Sequence, residues 1–168
     1  MTSKEPNQNC CRTLNKEEAL KKVESILRLI SNALDKESSN AKDDAEIFNT
    51  GNVDGFEILL KRFTKTLDLE DSVLFSALIY LDRVLKKVEF FKSNHLYGLF
   101  AGCLILSFQM NSKLRRIKMK DFAKLTKIST RTLSNIHEEL LNQYLGWQLY
   151  IEKEYYLQYQ TNIERFNN

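Results

Sequence analysis

One stretch of the chain, from His95 to Met110, is apolar on every side of a helical wheel. Between His95 and Gln109 it contains no Asp, Glu, Lys or Arg, so no side of the helix is suited to water. A helix that is apolar all round is buried in a protein core or a membrane. Crossing a membrane needs roughly 20 apolar residues, and this shorter run is interrupted by Ser107 and two glycines. We therefore predict a buried central helix in a soluble helical domain.

The remaining composition favours an all-α fold. One proline and five glycines among 168 residues are too few for the repeated turns of a sandwich or barrel. The net charge of +3 is too small to require a nucleic-acid partner. Cys10, Cys11 and Cys103 lack metal-ligand spacing and are predicted to be reduced thiols of an intracellular protein, in the nucleus or cytoplasm. The N-terminal residues also lack the apolar segment of a secretory signal.

Helical periodicity predicts about seven helices, no strand, and four parts of the chain. These parts are a disordered N-terminus (1–14), an amphipathic helix (15–35), a polar linker (36–52) and the main domain with its C-terminal helix (53–168). Asn15 is the predicted cap of the amphipathic helix. The linker is too polar to bury the apolar surface that would fix it. Asp54 and Glu57 have the spacing of a capping box at the start of the main domain.

No pattern of catalytic residues stands out. His95 and His137 have no carboxylate or cysteine at metal-ligand spacing, so no metal site is predicted. The chain also lacks a glycine-rich phosphate loop and a nucleophile elbow. We expect a protein that is not an enzyme and that carries no cofactor.

Several segments of the main domain have the spacing of a known family. The segment ALIYLDR, ending at Arg83, reproduces the pattern A-x-x-Y-x-D-R, with Tyr80 and Asp82 also in place. His95 begins the central helix, residues 128–130 match a G-I-S motif, and LGWQL follows the next long helix. These features resemble the cyclin box, most closely that of the phosphate-starvation and plant P/U cyclins. The similarity covers about residues 18–157.

The resemblance implies both a fold and a partner. The fold is a cyclin box of five helices around the buried central helix, with an added N-terminal helix and a C-terminal helix. The partner is a cyclin-dependent protein kinase, which cyclins of the cell cycle activate by placing their third and fifth box helices on its regulatory C-helix. In the family, a lysine late in the central helix and a glutamate in the fifth helix anchor this contact.

Those two anchoring positions fall on specific residues of this chain. Counting back from LGWQL places the glutamate at Glu138, with His137 and Glu139 as alternatives if the helix slips by one residue. Phe108 matches the aromatic residue that follows the lysine, but Ser107 stands in place of the lysine. Ser107 and Phe108 are expected to emerge at the partner surface.

The missing lysine leaves two outcomes open. Its charge is either moved to Lys113 or lost. If the charge is lost, the protein is a cyclin-fold scaffold that binds a kinase without activating it.

The 113–139 region also supports a different function, DNA binding by a helix-turn-helix. In that interpretation Ile128 fills the turn, Ser129 caps the second helix, and Leu133 holds it to the core. Seven basic residues surround the motif: Lys113, Arg115, Arg116, Lys118, Lys120, Lys124 and Lys127. However, Glu138 and Glu139 end the recognition helix, where they would approach phosphate poorly. Kinase regulation is therefore the main prediction and DNA binding the alternative.

Overall fold

The computed structural model describes residues 14–37, 46–51, 54–87, 91–111 and 116–166. In these residues every regular element is a helix, so the all-α prediction is confirmed. The α-helices are α1 (Lys16–Glu37), α2 (Phe56–Leu67), α3 (Asp71–Leu85), α4 (Ser93–Asn111), α5 (Met119–Thr126), α6 (Thr130–Glu139) and α7 (Lys153–Arg165). A 3₁₀ turn spans Glu46–Phe48, and a π turn, Leu140–Tyr144, continues α6. Of the predicted disordered segment, residues 1–14, the structure describes only Leu14, so Cys10 and Cys11 lie outside the described residues.

Helix α4 occupies the centre of the domain, as its apolar sequence predicts. All residues from His95 to Phe108 are buried. At Gly102 an added Cβ would lie 2.6 Å from a methyl carbon of Leu140 and 2.7 Å from one of Ile136, so the glycine permits close packing of α6. At Gly98 the close neighbour is the 3₁₀ turn. The core therefore depends on small residues at the two places where other segments come nearest to α4.

Burial also explains the state of Cys103, which is a free thiol inside this core. Removal from water raises the pKa of the thiol, because the thiolate is poorly solvated there. A thiol held in its protonated form is a weak nucleophile. Cys103 therefore serves as a small apolar residue of α4.

Part of the segment predicted to be a linker belongs to the core. Phe48 is fully buried, and its ring lies 5.6 Å from the ring centroids of both Phe91 and Tyr144. The prediction that the 36–52 segment is too polar to bury the apolar surface that would fix it is therefore wrong for the part that contains Phe48. Its average composition is polar, but one aromatic side chain inserted beside α4 is enough to fix a short turn. Residues 38–45 lie outside the described residues.

The helix starts confirm one predicted cap and contradict another. The Asn15 side chain accepts a hydrogen bond from the Glu18 backbone N–H at 2.8 Å, and the Glu18 carboxylate accepts one from the Asn15 backbone N–H at 3.3 Å. The capping box predicted from Asp54 and Glu57 is wrong. Asp54 instead forms an ion pair with Arg62 at 2.5 Å. The guanidinium charge attracts the Asp54 carboxylate, and Gly55 is the N-cap of α2 without a side-chain hydrogen bond.

Helices α1 and α7 are joined to each other. Helix α1 packs on the domain through Ala19, Val23 and Leu27, all fully buried. From the same helix, the Lys22 ammonium donates hydrogen bonds of 2.7 Å to the backbone carbonyls of both Glu164 and Phe166, at the end of α7. A cation at a helix C-terminus satisfies the last carbonyls and offsets the helix dipole. Lys22 therefore links the first helix of the chain to the last.

We expect Lys22→Met to lower the free energy of unfolding by about 1.5 kcal/mol, the typical value for hydrogen bonds made by a charged group. Equilibrium urea unfolding measures the loss, and amide hydrogen exchange should rise in α7. Lys21→Met is the matched control, because Lys21 forms an exposed pair with Glu17 on the same helix, and such pairs contribute about 0.5 kcal/mol or less. Equal losses in the two variants would contradict the link.

Candidate functional site

The motif ALIYLDR joins α3 to the segment that follows α6. The Tyr80 hydroxyl donates to the Leu149 carbonyl at 2.8 Å. The Arg83 guanidinium donates to the carbonyls of Gln148 at 2.9 Å and Tyr150 at 3.1 Å. These three bonds satisfy carbonyls in a stretch without regular structure, where the backbone has no helical partners. Tyr80 and Arg83 thereby fix the path of the chain after α6.

Asp82, the acidic residue of the same motif, makes its contact within α3. Its carboxylate forms an ion pair with Lys86 at 2.7 Å, one helical turn further along. The pair is largely exposed, and exposed pairs at this spacing contribute only a few tenths of a kcal/mol. The motif residues thus have different structural roles, with the two larger side chains reaching across to another segment.

A π turn at the end of α6 changes the register of the chain. Over Leu140–Tyr144 the Leu145 backbone N–H bonds the Leu140 carbonyl at 2.8 Å, five residues back. A π turn holds one residue more than an α-helical turn. Counting back from LGWQL as if the helix were regular gives Glu138. Allowing for one extra residue gives His137, one of the two alternatives for a one-residue slip.

Ser107 lies inside the protein, so the expectation that it emerges at a partner surface is wrong. It is 0% exposed, and its hydroxyl donates to the Val73 carbonyl of α3 at 2.6 Å. On the next turn, the Asn111 side-chain amide donates to the Ser107 carbonyl at 2.8 Å. The reason is the rotation of α4, which turns this side chain toward α3. A serine is tolerated there because its hydroxyl has an acceptor within the core.

Phe108 also belongs to the core rather than to the surface, with 6% of it exposed. Its ring meets the ring of Phe122 edge-on at a centroid distance of 6.0 Å, and Phe122 stacks on Phe63 at 6.2 Å. These three rings join α4, α5 and α2. Lys113, the other predicted site residue of this region, lies outside the described residues.

The surface between α4 and α6 is formed by residues just beyond those expected. We define the α4/α6 face as Gln109, Met110, His137 and Glu138. His137 Nε2 donates a hydrogen bond to Gln109 Oε1 at 3.0 Å, which connects the two helices. Burial lowers the pKa of His137, so its imidazole is neutral near pH 7. Met110 is 56% exposed, and Glu138 is exposed.

Sequence reasoning named His137 and Glu138 but missed Gln109 and Met110. The available signal was the end of the charge-free run, where a helix must leave the core and present its next residues to solvent. The family lysine position instead pointed to Ser107, which is two residues before Gln109.

A family model of the cyclin N-terminal domain matches residues 57–150, more than half of the chain. The chain belongs to the cyclin family. The matched region contains α2 to α6 and the segment held by Tyr80 and Arg83. The box of this cyclin is therefore built around α4, with α1 and α7 outside the match. A search of curated proteins finds no matching relative.

Cyclins are regulatory subunits rather than enzymes, and two further observations concern other classes of function. No helix within the described ranges is long and apolar enough to span a membrane. The same part of this cyclin contains no cluster of His, Cys, Asp and Glu suited to a metal ion.

The helix-turn-helix geometry of this cyclin is part of its box. Ile128 and Leu133 are buried, and the Ser129 hydroxyl accepts a hydrogen bond from the Thr132 backbone N–H at 3.1 Å, which confirms the predicted cap. Five of the basic residues are exposed: Arg116, Lys118, Lys120, Lys124 and Lys127. Lys113 and Arg115 lie outside the described residues. The packing of α5 and α6 on α4 thus accounts for the helix-turn-helix arrangement, in which a short helix is followed by a longer one.

Proposed function

We propose that this cyclin, of the phosphate-starvation and P/U type, binds a cyclin-dependent kinase through its α4/α6 face and activates it. The observation that carries the proposal is the cyclin-family match, which spans both helices of that face. Family membership likewise favours kinase regulation over DNA binding by the 113–139 region. Activation needs no chemistry on the cyclin, because binding the active arrangement of the kinase more tightly shifts the kinase population toward it.

The chemistry of this face supports a contact based on shape and neutral hydrogen bonds. Ser107, at the position where the resemblance implies a lysine, is buried, and His137, an alternative to Glu138 for the glutamate position, is proposed to take part in the contact. The hydrogen-bonded pair of His137 and Gln109 is neutral near pH 7. Met110 then supplies exposed apolar surface of the kind that becomes buried at the centre of an interface.

Charge is proposed to lie at the edge of this face. Glu138 is exposed beside His137 on α6, and Lys113, two residues after the end of α4, is proposed to supply the displaced positive charge. Charges at an interface edge act mainly on association rate and salt dependence. Glu138→Lys and Lys113→Glu are therefore expected to slow binding several-fold at low salt and to have smaller effects at high salt.

We expect Met110→Glu to weaken kinase binding by at least tenfold, because a charge is then placed in the apolar centre of the contact. The purified protein is added to individual cyclin-dependent kinases, and peptide phosphorylation and affinity are measured together. Leu157→Glu is the matched control, since Leu157 is a similarly exposed apolar residue on α7, outside the proposed face.

Two results would contradict the proposal. One is that none of the kinases binds the protein or gains activity when it is added. The other is that Met110→Glu and Leu157→Glu reduce binding equally. Binding without any gain in kinase activity would reject the activation step and favour the scaffold alternative.

A further inference from the structure

Two large aromatic side chains are exposed in the segment after α6. Trp147 is 67% exposed and Tyr150 is 79% exposed. Trp147 has a φ of +62°, in the left-handed region that a bulky residue rarely adopts. Its indole N–H donates to the Asn142 side-chain oxygen at 3.2 Å, which holds the ring in place on the surface. A strained residue that keeps an aromatic ring exposed indicates a binding surface rather than a core position.

A cleft of about 550 Å³ adjoins this segment. We define the basic cleft by its lining residues, which are Arg83, Lys86, Lys87, Leu145, Gln148 and Tyr150. Arg83 donates to two backbone carbonyls, and the Lys87 ammonium donates to the Tyr144 carbonyl at 2.5 Å. Carbonyls position these cations without neutralising them.

Among the described residues, one carboxylate pairs with a cation of the cleft. Within the described parts of the chain, Lys86 is paired with Asp82, whereas no carboxylate pairs with Arg83 or Lys87. The negative end of α3 lies close by, but a helix C-terminus carries only about half an elementary charge. Two uncompensated cations exceed that amount, so the cleft attracts anions.

The basic cleft and the proposed kinase face are separate surfaces. Ser107, late in α4, bonds Val73, early in α3, so the two helices run in opposite directions. The C-terminus of α3, with Lys86 and Lys87, is therefore near the start of α4. Gln109 and Met110 lie 16 and 17 residues after Ser93, the first residue of this helix, about 24–26 Å away at the usual rise per residue. His137 of the same face is eight residues before Leu145 of the cleft, about 12 Å away by the same measure.

We propose that the basic cleft docks an acidic linear segment of a second protein. Its carboxylates pair with Arg83, Lys86 and Lys87, and an adjacent apolar side chain packs on Trp147 and Tyr150. Charge complementarity selects the acidic segment, and Trp, Tyr and Arg are the residues that contribute most at protein interfaces. The same cyclin then holds a kinase at one end of α4 and an acidic segment at the other.

The test uses the full chain and a peptide of alternating Asp and Leu, twelve residues long by design. Trp147 is the sole tryptophan of the sequence, so its fluorescence reports binding directly. We expect saturable binding that weakens as salt rises, because the contacts are ionic. The double variant Lys86→Ala, Lys87→Ala should lose about tenfold in affinity. Lys65→Ala, which removes an exposed lysine from α2, should bind like the parent.

Three results would overturn the proposal. The acidic peptide fails to bind, an analogue with Lys in place of Asp binds equally well, or Lys65→Ala weakens binding as much as the double variant. A further variant separates binding from folding. Trp147→Gly removes the ring and adopts a positive φ without strain, so it should fold yet bind a fluorescein-labelled peptide several-fold more weakly. Its stimulation of a kinase should be unchanged, which distinguishes this site from the α4/α6 face.

Discussion

Replacing Ser107 with Lys is expected to lower the free energy of unfolding by about 3–5 kcal/mol, although the cyclin resemblance implies a lysine at this position. The Ser107 side chain is fully buried and faces α3, where its hydroxyl bonds the Val73 carbonyl. A lysine there places an ammonium without a carboxylate partner in the core, and an uncompensated buried charge costs about this much. Urea unfolding measures the loss of stability.

The same variant tests the meaning of the missing family lysine. We expect Ser107→Lys to give no gain in kinase activation, because its ammonium is not presented on the α4/α6 face. Ser107→Ala is the control, with an expected loss of about 1 kcal/mol for one hydrogen bond. If Ser107→Lys kept the parent stability and stimulated a kinase more strongly, the side chain would have to reach the surface, contrary to its burial.

The contrast between Ser107 and Gln109 explains what the sequence could predict. A charge-free run from His95 to Gln109 identifies a buried helix without any alignment, because water is excluded from all its sides. The same uniformity removes the information on orientation, since no polar stripe marks the side that faces α3 or α6. Residue-level assignment at the end of α4 therefore needed the three-dimensional packing.

The π turn at the end of α6 is likewise not visible in the sequence. Periodicity assumes 3.6 residues per turn, and the π turn at Leu140–Tyr144 inserts one more. All its residues are compatible with an ordinary helix, so composition does not reveal it. At Asp54 the cap prediction used local spacing and missed Arg62, an ion-pair partner eight residues later. The partner of Asp54 lies beyond the three-residue spacing that defines a capping box, and the π turn has no sequence pattern of its own.

Two predicted helix caps, Asn15 and Ser129, are confirmed, because they depend on local geometry. Asn15 and Ser129 accept hydrogen bonds from backbone groups three residues later, and that distance is fixed by helix geometry alone. The segment after α6 shows the opposite case. The motif residues Tyr80 and Arg83 were recognised by resemblance, yet their hydrogen bonds to residues 148–150 could be identified only once α3 was placed beside that segment.

Replacing Phe108 with Ala is expected to cost about 3–5 kcal/mol of stability, the range for removing a buried aromatic ring. The loss is large because the Phe108 ring packs on Phe122, which in turn stacks on Phe63, so three helices lose one shared contact. For a chain of this length the melting temperature should fall by about 10 °C. Differential scanning calorimetry measures the shift.

Kinase binding by Phe108→Ala should therefore fall at 37 °C because the protein unfolds, and recover at low temperature, where the variant is folded. Phe108→Leu tests whether the loss comes from missing side-chain volume or from the missing ring contact. It retains most of the apolar volume and should cost roughly 1–1.5 kcal/mol of stability. If Phe108 instead contacted the kinase directly, both variants would bind weakly at every temperature and melt close to the parent. Met110→Glu should bind the kinase weakly at every temperature and melt close to the parent, because Met110 is exposed and its replacement leaves the core intact.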